Sequence, residues 1–358
     1  MVADVTVVGS GIIALSAALE IADRGAKVRL MGTTHSGNAS SAAGGILAPS
    51  VRGGTGAAHA FAMASLARYP GFVAALAERS GITIPMQRNG VLEIADDEPD
   101  ATALRALSAT GSRWLDPEEV RLEEPAISEM LAFGAAFHPS SASVEPLPLL
   151  DALRSAVASH DRVTVVREDC CELRASELGC STLTNMESRF SSDHIVLAAG
   201  AWSPLIVGAG EAVRAVRPVR GQMIAFDGLP VRRVVLGAEG YLIPRSDGRT
   251  VAGSTEEAAG FESATSEEGI ELIRRRAIRL CPALGGASVH SAWAGLRPCT
   301  PDGQPIIGPD PERPRLIIAS GHSRNGILLA PLTAEVVADL VSGTRPAYDL
   351  IEFLPGRH

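Results

Sequence analysis

What the sequence lacks narrows it first. Positive charge is in deficit: its 32 Lys and Arg face 41 Asp and Glu, a net charge of −9. That balance argues against a nucleic-acid partner, whose phosphates need a basic face. Cysteine is scarce: there are five in 358 residues, and two of them, Cys170 and Cys171, are adjacent. They form neither a disulfide framework nor paired C-x-x-C zinc ligands, so a reducing compartment and no metal are expected. No run of about 18 uncharged apolar residues reads as a membrane span. The apolar N-terminus does not read as a signal peptide, because Asp4 opens it without a preceding Lys or Arg, and Glu20 and Asp23 interrupt it. A cytoplasmic protein is the expectation. Internal repeats and low-complexity tails are also missing.

One further absence is local. Residues 5–32 read VTVVGSGIIALSAALEIADRGAKVRLMG. A short apolar run meets Gly9-Ser10-Gly11-Ile12-Ile13-Ala14, a helical pattern follows, and a second apolar run closes the unit. This is G-x-G-x-x-A between a strand and a helix. The first glycine permits a tight turn. The second lets a pyrophosphate approach N–H groups at a helix N-terminus, and Ala14 lets helix and strand pack closely. Such units usually carry an Asp or Glu about 20 residues on, which holds a ribose hydroxyl. Counting from Gly11 reaches Met31, and no acid lies between Asp23 and the end of the second run. Two readings stay open: a dinucleotide site without its acid, or an ordinary βαβ unit with glycines in its turn. The glycines alone do not separate NAD from FAD.

The chain is long enough for two domains. Strand-length apolar runs occur at 4–8, 27–31, 163–166, 194–199, 222–226, 249–252 and 315–319, and helical patterns at 11–24, 58–79, 101–108, 147–159, 267–280 and 332–342. Residues 35–56 are rich in Gly, Ala and Ser and read as a long loop. The two ends of the chain look like a parallel α/β layer, whereas the middle alternates as an antiparallel sheet does. The expectation is an α/β fold: a discontinuous Rossmann-like nucleotide domain (1–75, 145–215 and 291–358) and a substrate domain with a mainly antiparallel sheet (76–144 and 216–290).

Three later stretches add to the glycine motif: HIVLAAGAWS (194–203), WAGLRPCTPDGQPIIG (293–308) and LIIASGHSRNGILLAP (316–331). With SSAAGGILAP (40–49), they resemble the D-amino-acid-oxidase family of flavoproteins, and within it the glycine-oxidase branch, over about residues 4–342. GHSRNGILLAP is the most specific of them. The resemblance implies non-covalent FAD and a small amino acid substrate. Its Cα–H would be passed as hydride to flavin N5, giving an imine. Oxygen would reoxidise the flavin to give hydrogen peroxide, in a reaction serving thiamine biosynthesis. Homo-oligomers are common in that branch. Met31 stands where the family normally has a Glu, which puts the adenosine-ribose contact in doubt; Thr33 and Thr34 are candidate neutral substitutes, and weaker FAD retention is expected.

The resemblance also assigns roles. Arg297 of GLRP matches the arginine that holds the substrate carboxylate, a task suited to a guanidinium fork. Tyr241 of GYLIPR matches a tyrosine that assists it, and Arg324 of GHSRNG an arginine near the substrate. Gly9, Gly11, Ile12, Ile13 and Met31 fall to the nucleotide, as do Ala199, Gly200 and Trp202, although Trp202 also reads as packing. Ser40, Ser41, Ala43 and Gly44 would line the diphosphate and ribityl chain, and Gly45 and Ile46 would lie near the ring. Cys170 would meet adenine through its backbone. Gly321, His322, Asn325, Gly326 and Ile327 form the loop and helix start expected at the flavin, with His322 read as a flavin-side hydrogen bond or packing rather than an acid–base group. Cys299 reads as packing, Trp293 likewise, His35 as an exposed loop residue, and Asp302-Gly303 as a turn. Competing readings are a D-amino-acid dehydrogenase or sarcosine-type oxidase on the same site, a non-catalytic flavin-binding scaffold, and an NAD(P) dehydrogenase.

Overall fold

Val5–Val8 is buried at all four positions, as a strand covered on both faces must be. It pairs in parallel with Val28–Met31 on one side and His194–Leu197 on the other. Val163–Val166 and Leu316–Ser320 extend the sheet in parallel, and Ile306–Pro309 closes one edge antiparallel, making six strands. The chain runs from Val8 directly to one neighbour and reaches the other only at His194. The strand order therefore reverses at Val5–Val8, and ligands of open parallel sheets bind at the carboxyl ends of strands flanking such a reversal. The computed structural model describes residues 3–51, 53–107, 111–128 and 133–357.

Helices Ile12–Asp23, Gly56–Ser80, Pro146–Ser159 and Gly326–Val341 share a core with one face of this sheet, through Ile12, Tyr69, Leu149, Ile317 and Leu332 among others. A three-stranded meander, Cys170–Ser176, Gly179–Thr184 and Arg189–Ser192, serves the opposite face, where Leu173 and Cys180 join Val8, Leu197 and Ile318. Gly56–Ser80 is long and apolar enough to cross a bilayer by length and composition. Here it packs on Gly326–Val341, with Ser65 Oγ donating to Leu328 O at 2.7 Å and Arg68 paired with Glu335 at 2.7 Å.

A second sheet has eight strands. The long pair Arg217–Asp227 and Val289–Cys299 forms one side of it, with Val289–Cys299 at the edge, and Arg249–Gly253, Gly240–Pro244 and Val234–Gly237 follow in turn, all antiparallel. Val91–Ile94 pairs in parallel with Val234–Gly237, and Ala135–His138 and Arg113–Leu115 complete the sheet. Helix Glu267–Leu280 covers one face through Ile273, Ala277 and Leu280. The other face carries Met223, Tyr241, Ile243 and Val251 toward Ile46, Ala48 and Val51. That face and the carboxyl ends of the parallel sheet enclose a cleft between them.

Several expected elements differ. Val289–Cys299 belongs to the second sheet, although a boundary at 291 puts most of it with the first. Its burial follows no two-residue period, so only its pairing reveals it. The expected loop 35–56 contains a helical turn, Ala39–Ala42, and a two-residue strand, Ile46–Leu47. The helical pattern read from 332 extends back to Gly326, beside the helix start at Gly326 and Ile327 that the resemblance implied, because Pro331 lies inside the helix instead of marking its edge. The helix expected at 101–108 spans Glu98–Ala106, started by Asp97, whose side chain accepts from Asp100 N; position 108 lies outside the described residues.

Candidate functional site

The cleft holds about 1760 Å³. At one end is the glycine turn. Gly9 has φ +140°, and a Cβ there would lie 2.3 Å from Ala198 O, so no side chain fits. Its N–H donates to Met31 O at 2.8 Å. Helix Ile12–Asp23 follows with no acid in its first turn, leaving the positive end of its dipole facing the cleft. Ser40 Oγ accepts from Ile12 N at 3.0 Å and would sit 3.0 Å from a Cβ on Gly11. Asn38 Oδ1 caps the Ala39–Ala42 turn by accepting from Ser41 N at 3.0 Å. Of the residues expected at the site, Ser41 and Thr34 do not line the cleft; the turn that presents Ser40, Ala42 and Ala43 turns Ser41 aside.

Beside the glycine turn, Met31 is wholly buried and packs with Val8 and Leu197, so its side chain serves the core. The position that abuts the turn is Gly32, where a Cβ would lie 3.1 Å from Gly9 C. Thr33 follows, and its N–H and hydroxyl both donate to Asp169, which lies just beyond the neighbouring strand Val163–Val166. Partial burial raises the Asp169 pKa, but the Thr33 donors, with His35, outweigh it and hold the carboxyl below its ordinary value. Thr34 is exposed and does not line the cleft. His35 is not a free loop residue: its ring stacks on Trp202 at 4.8 Å between centroids, and its Nε2 lies 3.3 Å from Asp169. Cys170 is buried, and burial pushes its thiol up to about 12, leaving it a neutral packing group.

The middle of the cleft is backbone-rich. Gly45 has φ +75°, and Arg245, itself buried, donates to Gly44 O at 2.8 Å and pins the loop. Ala199, Gly200, Gly45 and Ile46 line this stretch. From the opposite side come Gly321, Asn325, Gly326 and Ile327, where the C-terminal helix starts. The His322 ring is buried against Thr333 Oγ1 at 3.2 Å, and burial lowers its pKa to about 3, so it is a neutral packing group. Trp293 Nε1 donates to Ala42 O at 3.1 Å, and burial raises the Cys299 thiol, so both are packing groups as expected.

At the far end, Tyr241 and Arg297 converge on consecutive residues. The Tyr241 hydroxyl would lie 2.9 Å from a Cβ on Gly253. Arg297 donates through Nη2 to Ser254 Oγ at 2.7 Å and through Nη1 to Thr255 O at 3.2 Å. Its guanidinium lies over Gly221, where a Cβ would approach Nη2 to 2.2 Å. Arg297 therefore rests on neutral acceptors, with no carboxylate partner among the described residues. Arg324 differs: it is two-thirds exposed and paired with Glu256 at the cleft's edge.

Several residues here escaped the sequence reading. Gly221, Gly253 and Ser254 give no signal until strands are paired. The same holds for a buried set in which His138 Nε2 lies 3.0 Å from Glu93 and Nδ1 lies 2.9 Å from Ser112 Oγ. Its order resembles a nucleophilic triad, but Glu93, not Ser112, lines the cleft, the reverse of what such chemistry requires.

A glycine turn that excludes any Cβ, a helix N-terminus without an acid, and a long cleft ending in an unpaired arginine fit FAD and a small anionic substrate. Fold and cleft together define a flavin-dependent oxidoreductase. The chain belongs to the FAD dependent oxidoreductase (DAO) family, whose model matches residues 4–340. It is 32% identical over 367 residues to a glycine oxidase of Geobacillus kaustophilus, covering 99% of this chain and 97% of that one. The crystal structure of glycine oxidase from that organism matches at a TM-score of 0.92, with 99% of each chain covered. A bifunctional ThiO/ThiG protein of Synechocystis is 34% identical over 366 residues. The chain spans about half the length of that relative, 54%, while 99% of the chain is covered.

Proposed function

We propose that this protein catalyses the oxidative deamination of a small amino acid, with glycine the leading substrate, followed by small D-amino acids or N-methyl glycine. The observation that carries this reading is the Arg297 guanidinium, held by Ser254 and Thr255 beside Tyr241 with no acid to neutralise it. A partly buried cation without an anion is left under-compensated, and a substrate carboxylate would supply the missing partner through two parallel hydrogen bonds. The Tyr241 hydroxyl donates a third. A binder without turnover would not need both groups.

FAD, when bound, would supply the two-electron acceptor for hydride from the substrate Cα, with oxygen as its reoxidant and hydrogen peroxide as the product. The protein's part is binding and orientation. Gly9, Gly11 and the first turn of Ile12–Asp23 would hold the pyrophosphate, and Ser40 would share that contact. Gly44, Gly45 and Ile46 would flank the ring on one side, and the Gly321–Ile327 segment on the other. The dipole of the 16-residue C-terminal helix would favour negative charge placed at its start. His322 takes no proton, being neutral and engaged with Thr333. The amine must therefore be neutral when bound or lose its proton to solvent. Arg324, paired with Glu256 at the rim, would draw anionic substrates in rather than fix them.

We assign the six-stranded sheet and its helices to FAD and the eight-stranded sheet to substrate. Likeness to the ThiO/ThiG proteins supports a role in thiamine biosynthesis, and a cytoplasmic homo-oligomer is in keeping with the glycine-oxidase reading. The test is the visible spectrum of the FAD-loaded protein under anaerobic conditions before and after glycine. Bleaching of the flavin bands is expected. Bands that persist with glycine but bleach with D-alanine or sarcosine would move the substrate and keep the enzyme. Bands that persist with all three would refute the reading.

A further inference from the structure

We infer that Asp169 is the residue that holds the adenosine ribose of the cofactor, delivered from the strand next to the one that ordinarily carries this acid. The second strand ends in Met31, Gly32, Thr33 and Thr34, none of them acidic. Met31 is committed to the core, and a side chain at position 32 would press on Gly9 at 3.1 Å. The cleft still has a carboxylate at this corner. Val163–Val166 pairs in register with Val28–Met31, and Gly32 N donates to Val166 O at 3.1 Å. The chain beyond Val166 therefore turns back beside Thr33, bringing Asp169 into the cleft wall.

The carboxylate is anchored in one direction and open in another. Oδ1 accepts from Thr33 N at 2.9 Å and Thr33 Oγ1 at 2.9 Å, with His35 Nε2 at 3.3 Å. Among the described residues Oδ2 accepts only from the same Thr33 hydroxyl, at 2.7 Å, and so shares one proton with Oδ1. A carboxylate oxygen has room for about two donors, which leaves Oδ2 free to accept from a diol. Its backbone is fixed as well: Asp169 N donates to Asn185 Oδ1 at 3.0 Å, and Asn185 N to Asp169 O at 2.9 Å. The other acids lining the cleft, Glu93, Glu239, Glu256, Glu257 and Glu268, all come from the antiparallel-sheet side. Asp169 is thus the acid beside the glycine turn, where an adenosine joined to a pyrophosphate at Gly9–Gly11 has its ribose. Thr33, the expected neutral substitute, acts instead as the donor that orients the acid.

The full-length chain is titrated with FAD, with FAD whose adenosine carries 2′,3′-dideoxyribose, and with FMN, following flavin fluorescence. A charged hydrogen bond lost at this site weakens FAD roughly ten- to a hundredfold. The wild-type chain should bind FAD tighter than the dideoxy analogue by that factor. Asp169→Ala should bind both equally weakly, Asp169→Asn should fall between, and FMN, which has no adenosine, should bind all three chains alike. Each comparison of ligands is made within one variant, so a general loss of stability does not mimic the result. A wild-type chain that does not distinguish the two dinucleotides, or an Asp169→Ala chain that still does, would overturn the inference. Equal weakening of FMN would reduce Asp169 to a structural anchor of Thr33 and overturn it too. None of these readings depends on turnover, so a failure here is separable from a failure of the proposed oxidase activity.

Discussion

The Tyr69 hydroxyl donates to the carbonyl of Ile327, the acceptor that Pro331, four residues on, cannot serve. Proline has no N–H, and within a helix it leaves the carbonyl at i−4 without a donor. Tyr69, wholly buried on Gly56–Ser80, fills that place, and Ser65 from the same helix bonds the next carbonyl, Leu328 O. A helix start that lines the cleft is thus held by two side chains from a helix over 250 positions away.

Tyr69→Phe keeps the ring and removes the donor. It should lower stability by about 1–3 kcal/mol, the cost of a buried acceptor left unsatisfied. A thermal melt of the FAD-loaded protein reads this directly, and an unchanged midpoint would mean the carbonyl finds another donor.

Arg297→Lys keeps the charge and loses the fork. The apparent KM for glycine should rise at least about tenfold, with the flavin spectrum intact. Gly221→Ala should act similarly without touching substrate, since its Cβ would occupy the space of the guanidinium. Steady-state kinetics separate the two: rescue by high substrate in both supports a positioning effect, whereas normal kinetics in Gly221→Ala would show that Arg297 has another place to lie.

Arg324→Ala should do less. An ion pair this exposed contributes roughly 0–1 kcal/mol, so the KM change should stay within about fivefold. A loss as large as that of Arg297→Lys would mean Arg324 leaves Glu256 and closes onto the substrate during turnover.

His322 predicts a pH dependence. Its folded pKa lies near 3, lowered by burial, against an ordinary value of 6.5. Between those values the unfolded chain binds a proton that the folded chain does not. Its contribution to stability is therefore complete above pH 6.5 and falls on acidification, by up to about 1.4 kcal/mol per pH unit. His322→Asn should flatten chemical-denaturation stability between pH 6.5 and 4 relative to wild type. Parallel slopes would assign the acid sensitivity elsewhere.

Much of the first sheet was legible because inner strands such as Val5–Val8 and Val28–Met31 are buried on both faces and read as apolar runs; the edge strand 163–166 has no buried position, yet its β-branched run matches to the residue. The helix at 267–280 was equally plain, with Ser266 accepting from Gly269 N and two glutamates in its first turn. The short strands at 86–94, 113–115 and 135–144 were not, because two to four residues carry too little periodicity. The site was legible where a motif spans consecutive residues, as in the glycine turn and the GHSRNG loop. The motif could not say which way a side chain faces: His322 and Met31 point into the core, Ser41 turns aside, and Arg324 sits at the rim.

By itself, then, the sequence pointed to a dinucleotide-type turn, since a strand, two glycines and a helix within ten residues are a local device whose geometry needs no distant partner, and FAD came only with the later motifs. Through the resemblance it also singled out Arg297 and Tyr241 as candidates for the substrate carboxylate. Only tertiary structure decided what those residues rest on. Gly221, Gly253 and Ser254 come to Arg297 and Tyr241 through strand pairing, and Asp169 reaches Thr33 because two strands far apart in sequence lie side by side. An acid can leave one strand and reappear on its neighbour because adjacent strands are only about 4.8 Å apart, a proximity the order of residues along the chain does not contain.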